Sequence, residues 1–185
     1  MRSEDRPGGP SVRIKRSAEP EPGGRSLAEL FVRQVPRAVA IAYLMTGDRA
    51  LAEDLAQEAF VRLAGRFRHI RSPEAFDAYL RRTVVNLSLS HLRRRRVERA
   101  YLERERHRAP RPAEAMPDVG TRELLWAALL ELPARQRAAL VLRYYEDLSE
   151  RQTAEILAAS TAAVRSLVAR GIEALRQRIR GEDDA

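Results

Sequence analysis

Arg165, Ser166 and Arg170 stand one and four positions apart near the C-terminal end of the chain, a spacing that puts all three on one face of a helix. Two guanidinium groups and a hydroxyl on such a face can bond phosphate oxygens and the edges of bases in a major groove. A second polar group, Glu53, Asp54, Gln57 and Glu58, holds carboxylates that would suit acid–base chemistry or a metal. The histidines, His69, His91 and His107, are not at ligand spacing to those carboxylates, so neither a catalytic nor a metal centre is expected. The chain reads as a non-enzyme with no cofactor.

The element that must position Arg165 and Arg170 is the run Leu148 to Arg180, which reads as two helices joined by a tight turn. Ser149 with Gln152 forms a capping box, and Ser160 is placed to cap the second helix. Ala154 falls where the two helices touch, and Val164 and Leu167 wedge the second one down. Its outward face then carries Ala162, Arg165, Ser166, Ala169, Arg170 and Glu173. Ala158 stands where such turns favour glycine for a left-handed backbone, and Thr153 takes a place normally apolar. A helical hairpin with no DNA role would show a similar pattern.

With 185 residues and 44% hydrophobic content, the chain is expected to form two small domains. The formal charge of +8 suggests a polyanionic partner. Nearly all of that charge is arginine, Lys15 being the one lysine, so placement carries more information than abundance. Cysteine is absent, which excludes disulfides, thiolate metal sites and cysteine nucleophiles. No apolar stretch is long enough to span a membrane and no secretion signal is seen, so a cytoplasmic protein with no membrane partner is expected.

Residues 1–25 are rich in Pro, Gly and charge and read as a disordered tail. From 26 to 100 apolar residues recur at helical spacing, a polar linker is expected over 101–120, and helical pattern resumes over 121–181 with breaks at Pro133, near Asp147 and near Ala158. Strand alternation is missing, so the fold class is all-α: two small helical domains joined by a flexible linker.

In the first domain Ala56, Phe60, Leu63 and Phe67 line one face of a helix as core, with Asp54, Gln57, Glu58 and Val61 opposite. A solvated helix would show the same polar stripe. A second helix starts at Ser72 as N-cap with Pro73 in the first turn, and is expected to reach about Arg99. Phe76, Leu80, Thr83, Val84 and Leu87 point inward. Arg82, Asn86, Leu89, Arg93 and Arg96 form an outer stripe that can meet phosphates, with the Asn86 amide offering donors and an acceptor to an exposed base.

These segments resemble the extracytoplasmic-function (group 4) sigma factors of bacterial RNA polymerase, and within them the actinobacterial sigma-E-like group. AEDLAQEAFVRL is similar to the family's region-two helix, with Asp54, Gln57, Glu58 and Phe60 at its Asp, Gln-Glu and aromatic places. The resemblance implies that the stripe with Val61 grips the clamp helices of the largest polymerase subunit. AYLRRTVVNLSLSHLRRRR looks like the helix for the minus-ten element, with Asn86 at the family's Asn, Ser90 where Asp is usual, and the loop Arg68 to Ser72 shaping a pocket for an extruded base. ELPARQRAALVLRYYEDLS with the following helix pair resembles region four, implying minus-thirty-five contacts by Arg165, Ser166 and Arg170. Leu140 and Tyr144 would then face the flap of the second-largest subunit. Implied partners are core RNA polymerase, promoter DNA and an anti-sigma factor. A stand-alone helix-turn-helix regulator and a protein-binding helical adaptor are the alternatives.

Overall fold

Seven α-helices and one π-helical segment make up the regular structure of the computed structural model, which describes residues 27–65, 72–105 and 121–183. The expected N-terminal tail, Phe67, and the loop Arg68 to Arg71 lie outside those residues. Helix α1 (Leu27–Thr46) stops at Gly47, whose φ of 74° is the left-handed conformation that glycine adopts at least cost. Asp48 then caps α2 (Arg49–Ala64), its carboxylate accepting from the Leu51 amide at 3.1 Å. The two helices therefore fold back on one another across a two-residue turn. Ala52, Ala56 and Ala59 are small and buried along α2, which lets α1 approach closely.

Ser72 caps α3 (Pro73–Glu105) by accepting from the Ala75 amide at 3.2 Å, as its sequence predicts. Phe76, Leu80, Val84, Val85 and Leu87 are buried, Thr83 is half-buried, and the Phe76 ring meets Phe60 of α2 at 6.2 Å. The helix continues past the expected end near Arg99, so residues 101–105, which the sequence assigns to the linker, are helical. The reason is local: strong helix formers run through Glu105, and proline first appears at Pro110.

The second half contains α4 (Thr121–Glu131), α5 (Ala134–Leu140), the π-helical segment Val141–Tyr145, α6 (Glu150–Leu157) and α7 (Thr161–Asp183). Pro133 separates α4 from α5, and a turn with left-handed backbone at Asp147 (φ 49°) separates the π segment from α6. All three expected breaks are present.

The two halves share one hydrophobic cluster. Ile41 and Met45 of α1, Leu63 of α2 and Val84 and Val85 of α3 belong to it together with Ala138, Ala139, Leu142, Leu148, Ile156 and Leu157 of the second half. Packing α3 against α5 and α6 enlarges the common core. Polar contacts cross the same seam. The buried Arg137 guanidinium donates to the carbonyl oxygens of Met45 (2.5 Å), Leu132 (3.1 Å) and Leu130, satisfying chain ends of α1 and α4. Burial pushes its pKa below the usual arginine range. The Tyr43 and Trp126 rings stack at 4.7 Å.

Candidate nucleic-acid interface

The helix pair is built as its caps require. Ser149 Oγ accepts from the Gln152 amide at 3.2 Å while the Gln152 side chain accepts from the Ser149 amide at 2.9 Å. Ala158 adopts φ 47°, ψ 56°, so the left-handed position is held by an alanine, and Ser160 Oγ caps α7 by accepting from the Ala163 amide at 3.1 Å. Ala154 and Val164 are buried where α6 and α7 meet. Thr153 is fully buried, and its hydroxyl has no hydrogen-bond partner among the described residues.

Ala162, Arg165, Ser166, Ala169, Arg170 and Glu173 are all exposed along α7. Arg165 is steadied by an ion pair to Glu150 at 2.9 Å, and Arg170 Nε donates back to the Ser166 carbonyl at 3.2 Å. Both guanidinium groups keep further donors for phosphate or base edges.

On α3, Arg82, Asn86, Arg93 and Arg96 are exposed, whereas Leu89 packs partly against the core and sits at the margin of the stripe. Asn86 and Arg93 help to line a concavity of about 350 Å³ with Leu87, Ser90, Arg94 and Arg62. Arg62 comes from α2 and was not among the residues expected here. Its spacing four residues after Glu58 signals only an ion pair along α2, in which Arg62 Nη2 donates to Glu58 Oε1 at 2.5 Å, and not a place in this concavity.

Asp54, Gln57, Glu58 and Val61 are exposed together on the outer face of α2, with Val61 67% accessible despite being apolar. Of the two residues expected to face the flap, Tyr144 is exposed, but Leu140 is interior: it packs over Gly171 where α5 crosses α7. A glycine at that crossing lets the helices approach closely enough to cover the leucine. Among the described residues, no group of three or more His, Asp or Glu side chains is placed to hold a metal ion, and no helix is long and apolar enough to cross a membrane.

Known proteins with this arrangement define the class. Residues 30–98 match the family Sigma-70 region 2 and residues 122–175 match Sigma-70, region 4, so the two halves correspond to the two modules of a sigma factor. The chain is 33% identical over 145 residues to the RNA polymerase sigma-E factor of Streptomyces avermitilis, covering 74% of this chain and 75% of that one. It is 35% identical over 155 residues to the ECF RNA polymerase sigma factor SigE of Mycolicibacterium smegmatis, covering 80% of this chain and 59% of that one. The protein belongs to the extracytoplasmic-function sigma factors of RNA polymerase, in their sigma-E-like group.

Solved structures share the fold. The sigma factor RpoE of Bartonella quintana, in its complex with the anti-sigma factor NepR, superposes with a TM-score of 0.64 at 22% identity, over 83% of this chain and 96% of that one. The PhyRSL–NepR complex from Sphingomonas sp. Fr1 gives 0.56 at 18% identity, over 83% and 88%. The region 2 match removes the ground for a stand-alone helix-turn-helix regulator, whose first half would have no reason to carry it.

Proposed function

We propose that this sigma factor uses three separate faces: Asp54, Gln57, Glu58 and Val61 of α2 to grip the clamp helices of the largest polymerase subunit, the α3 stripe to take the minus-ten element, and α7 to read the minus-thirty-five element. Within the stripe, Arg82, Arg93 and Arg96 neutralise phosphates, Asn86 bonds an unstacked base, and Leu89 borders the site as an apolar edge. On α7, Arg165, Ser166 and Arg170 approach the major groove. The observation that carries the reading is that all three sets are solvent-exposed on different helices, apart from the partly buried Leu89. The factor works in the cytoplasm, supplies no catalytic group, and lends polymerase its promoter choice. Tyr144 is the remaining candidate for the flap contact, and an anti-sigma protein is a further partner, as in the RpoE and PhyRSL complexes.

The test is run-off transcription by core polymerase with and without the protein on fragments upstream of its own gene, with Asp54→Ala and Arg165→Ala alongside. New start sites that need the wild-type protein and weaken in both variants are expected. Tight operator binding without polymerase, and no new transcript, would overturn the assignment of the faces.

A further inference from the structure

We propose that Arg62 couples polymerase contact to capture of the opened DNA strand: Glu58 holds its guanidinium in the free protein, and engagement of Glu58 by polymerase frees that group for a phosphate in the concavity that Arg62 lines between α2 and α3. The inference rests on the assignment of the α2 and α3 faces given above. Its basis is that one residue belongs to two surfaces. Arg62 is bonded to Glu58 at 2.5 Å, and Glu58 stands in the outer row with Asp54, Gln57 and Val61. The same Arg62 lines the concavity with Asn86, Ser90, Arg93 and Arg94.

The chemistry of that lining fits a single nucleotide with its flanking phosphate. Arg93 and Arg94 supply positive charge for the backbone, while the Asn86 amide and Ser90 hydroxyl supply the donors and acceptors that a base edge requires. Arg62 is the cation that α2 contributes to this lining. While bonded to Glu58, it spends a donor on the carboxylate, and the carboxylate itself repels an incoming phosphate. A cationic or hydrogen-bond-donating group of polymerase that takes over Glu58 removes both obstacles. By linkage the effect is reciprocal, so strand capture by Arg62 leaves Glu58 free and strengthens polymerase contact. Arg62 and Glu58 side chains are about half exposed (57% and 46%), so the coupling is a modest one.

The experiment uses the full chain without polymerase and a fluorescently labelled pool of random single-stranded DNA dodecamers, with binding followed by anisotropy at low salt. Glu58→Gln is expected to bind about two- to five-fold tighter than wild type, the range open to a half-exposed pair. Arg62→Ala should bind more weakly than wild type, and the double variant E58Q/R62A should match R62A. Equal binding by wild type and E58Q, including no measurable binding by either, overturns the coupling. So does a gain that persists in the double variant, because Glu58 would then act by bulk charge alone. Polymerase affinity and run-off activity of the wild-type protein report separately on the assignment of the faces. An active run-off with a flat E58Q response removes only the coupling, whereas a silent run-off with the E58Q gain present removes the polymerase assignment and leaves a strand site.

Discussion

Arg81 Nε and Glu146 Oε2 stand 2.6 Å apart, an ion pair between residues 65 positions apart that ties α3 to the end of the π-helical segment. Arg37 of α1 completes it, with Nε at 2.9 Å from Oε1 and Nη2 at 2.8 Å from Oε2. The Glu146 side chain is 1% accessible, against 14% for Arg81 and 42% for Arg37. The hydrogen bond to Glu146 holds the Arg37 pKa above the usual arginine range, with burial working the other way. A raised value means that the cation's contribution is fully present below arginine's ordinary range and is lost only as pH climbs through the raised value.

Glu146→Ala should therefore destabilise the protein by about 1–3 kcal/mol, since it removes charge-assisted bonds to two arginines that can partly turn to water. Arg81→Ala should cost more than Arg37→Ala, because Arg81 is the more buried partner. Chemical denaturation of the three variants checks the order. Equal losses from Arg37 and Arg81 would contradict it.

Gly47→Ala should cost about 1–3 kcal/mol from a left-handed backbone and crowding together. A Cβ there would lie 2.7 Å from Leu130 Cδ1 of α4, so the substitution presses on the seam between the halves as well as on the α1–α2 turn. Thermal unfolding measures it. The same change at Gly65, whose nearest foreign atom would be 3.8 Å away and whose φ is −64°, should have little effect.

Ala158→Gly is expected to stabilise. The alanine sits at φ 47° and is exposed, so glycine relieves a conformational penalty of about 1 kcal/mol without losing packing. A rise in Tm of a few degrees is the expected result, offset in part by the greater freedom of glycine in the unfolded chain.

Thr153→Val should also raise stability, by about 0.5–2 kcal/mol. The residue is wholly buried and its hydroxyl finds no hydrogen-bond partner among the described residues, so an isosteric methyl removes an uncompensated desolvation cost. Denaturant midpoints of the variant and wild type decide this. A loss would mean that the hydroxyl has a partner in solution, such as a buried water.

Arg165→Ala should weaken binding to minus-thirty-five DNA while changing the unfolding free energy by no more than about 0.5 kcal/mol, since its pair with Glu150 is exposed. If Arg165 contacts phosphate, the salt dependence of binding should fall by about one unit of slope. If it reads a base, discrimination at one position should drop by about 1–3 kcal/mol with the slope kept. Titrations at several salt concentrations on matched and substituted sites separate the two.

The helices, their caps and the exposed faces were legible in the sequence because each depends on near neighbours. Ser149 with Gln152, Ser72 ahead of Pro73, and the spacing of Arg165, Ser166 and Arg170 are local relationships, and periodicity alone assigns residues to inner and outer faces. The breaks at Pro133, Asp147 and Ala158 were visible for the same reason. What only the tertiary structure decided is how distant segments meet. Leu140 is covered by α7 because Gly171 permits a close crossing, Leu89 is drawn toward a core that includes the second half, and Arg62 enters the concavity beside Asn86. Glu146 and Arg137 look like ordinary surface charges in the sequence. Their burial follows from the packing of the two halves into one core, a sum of weak contacts between residues far apart in the chain that no local pattern encodes.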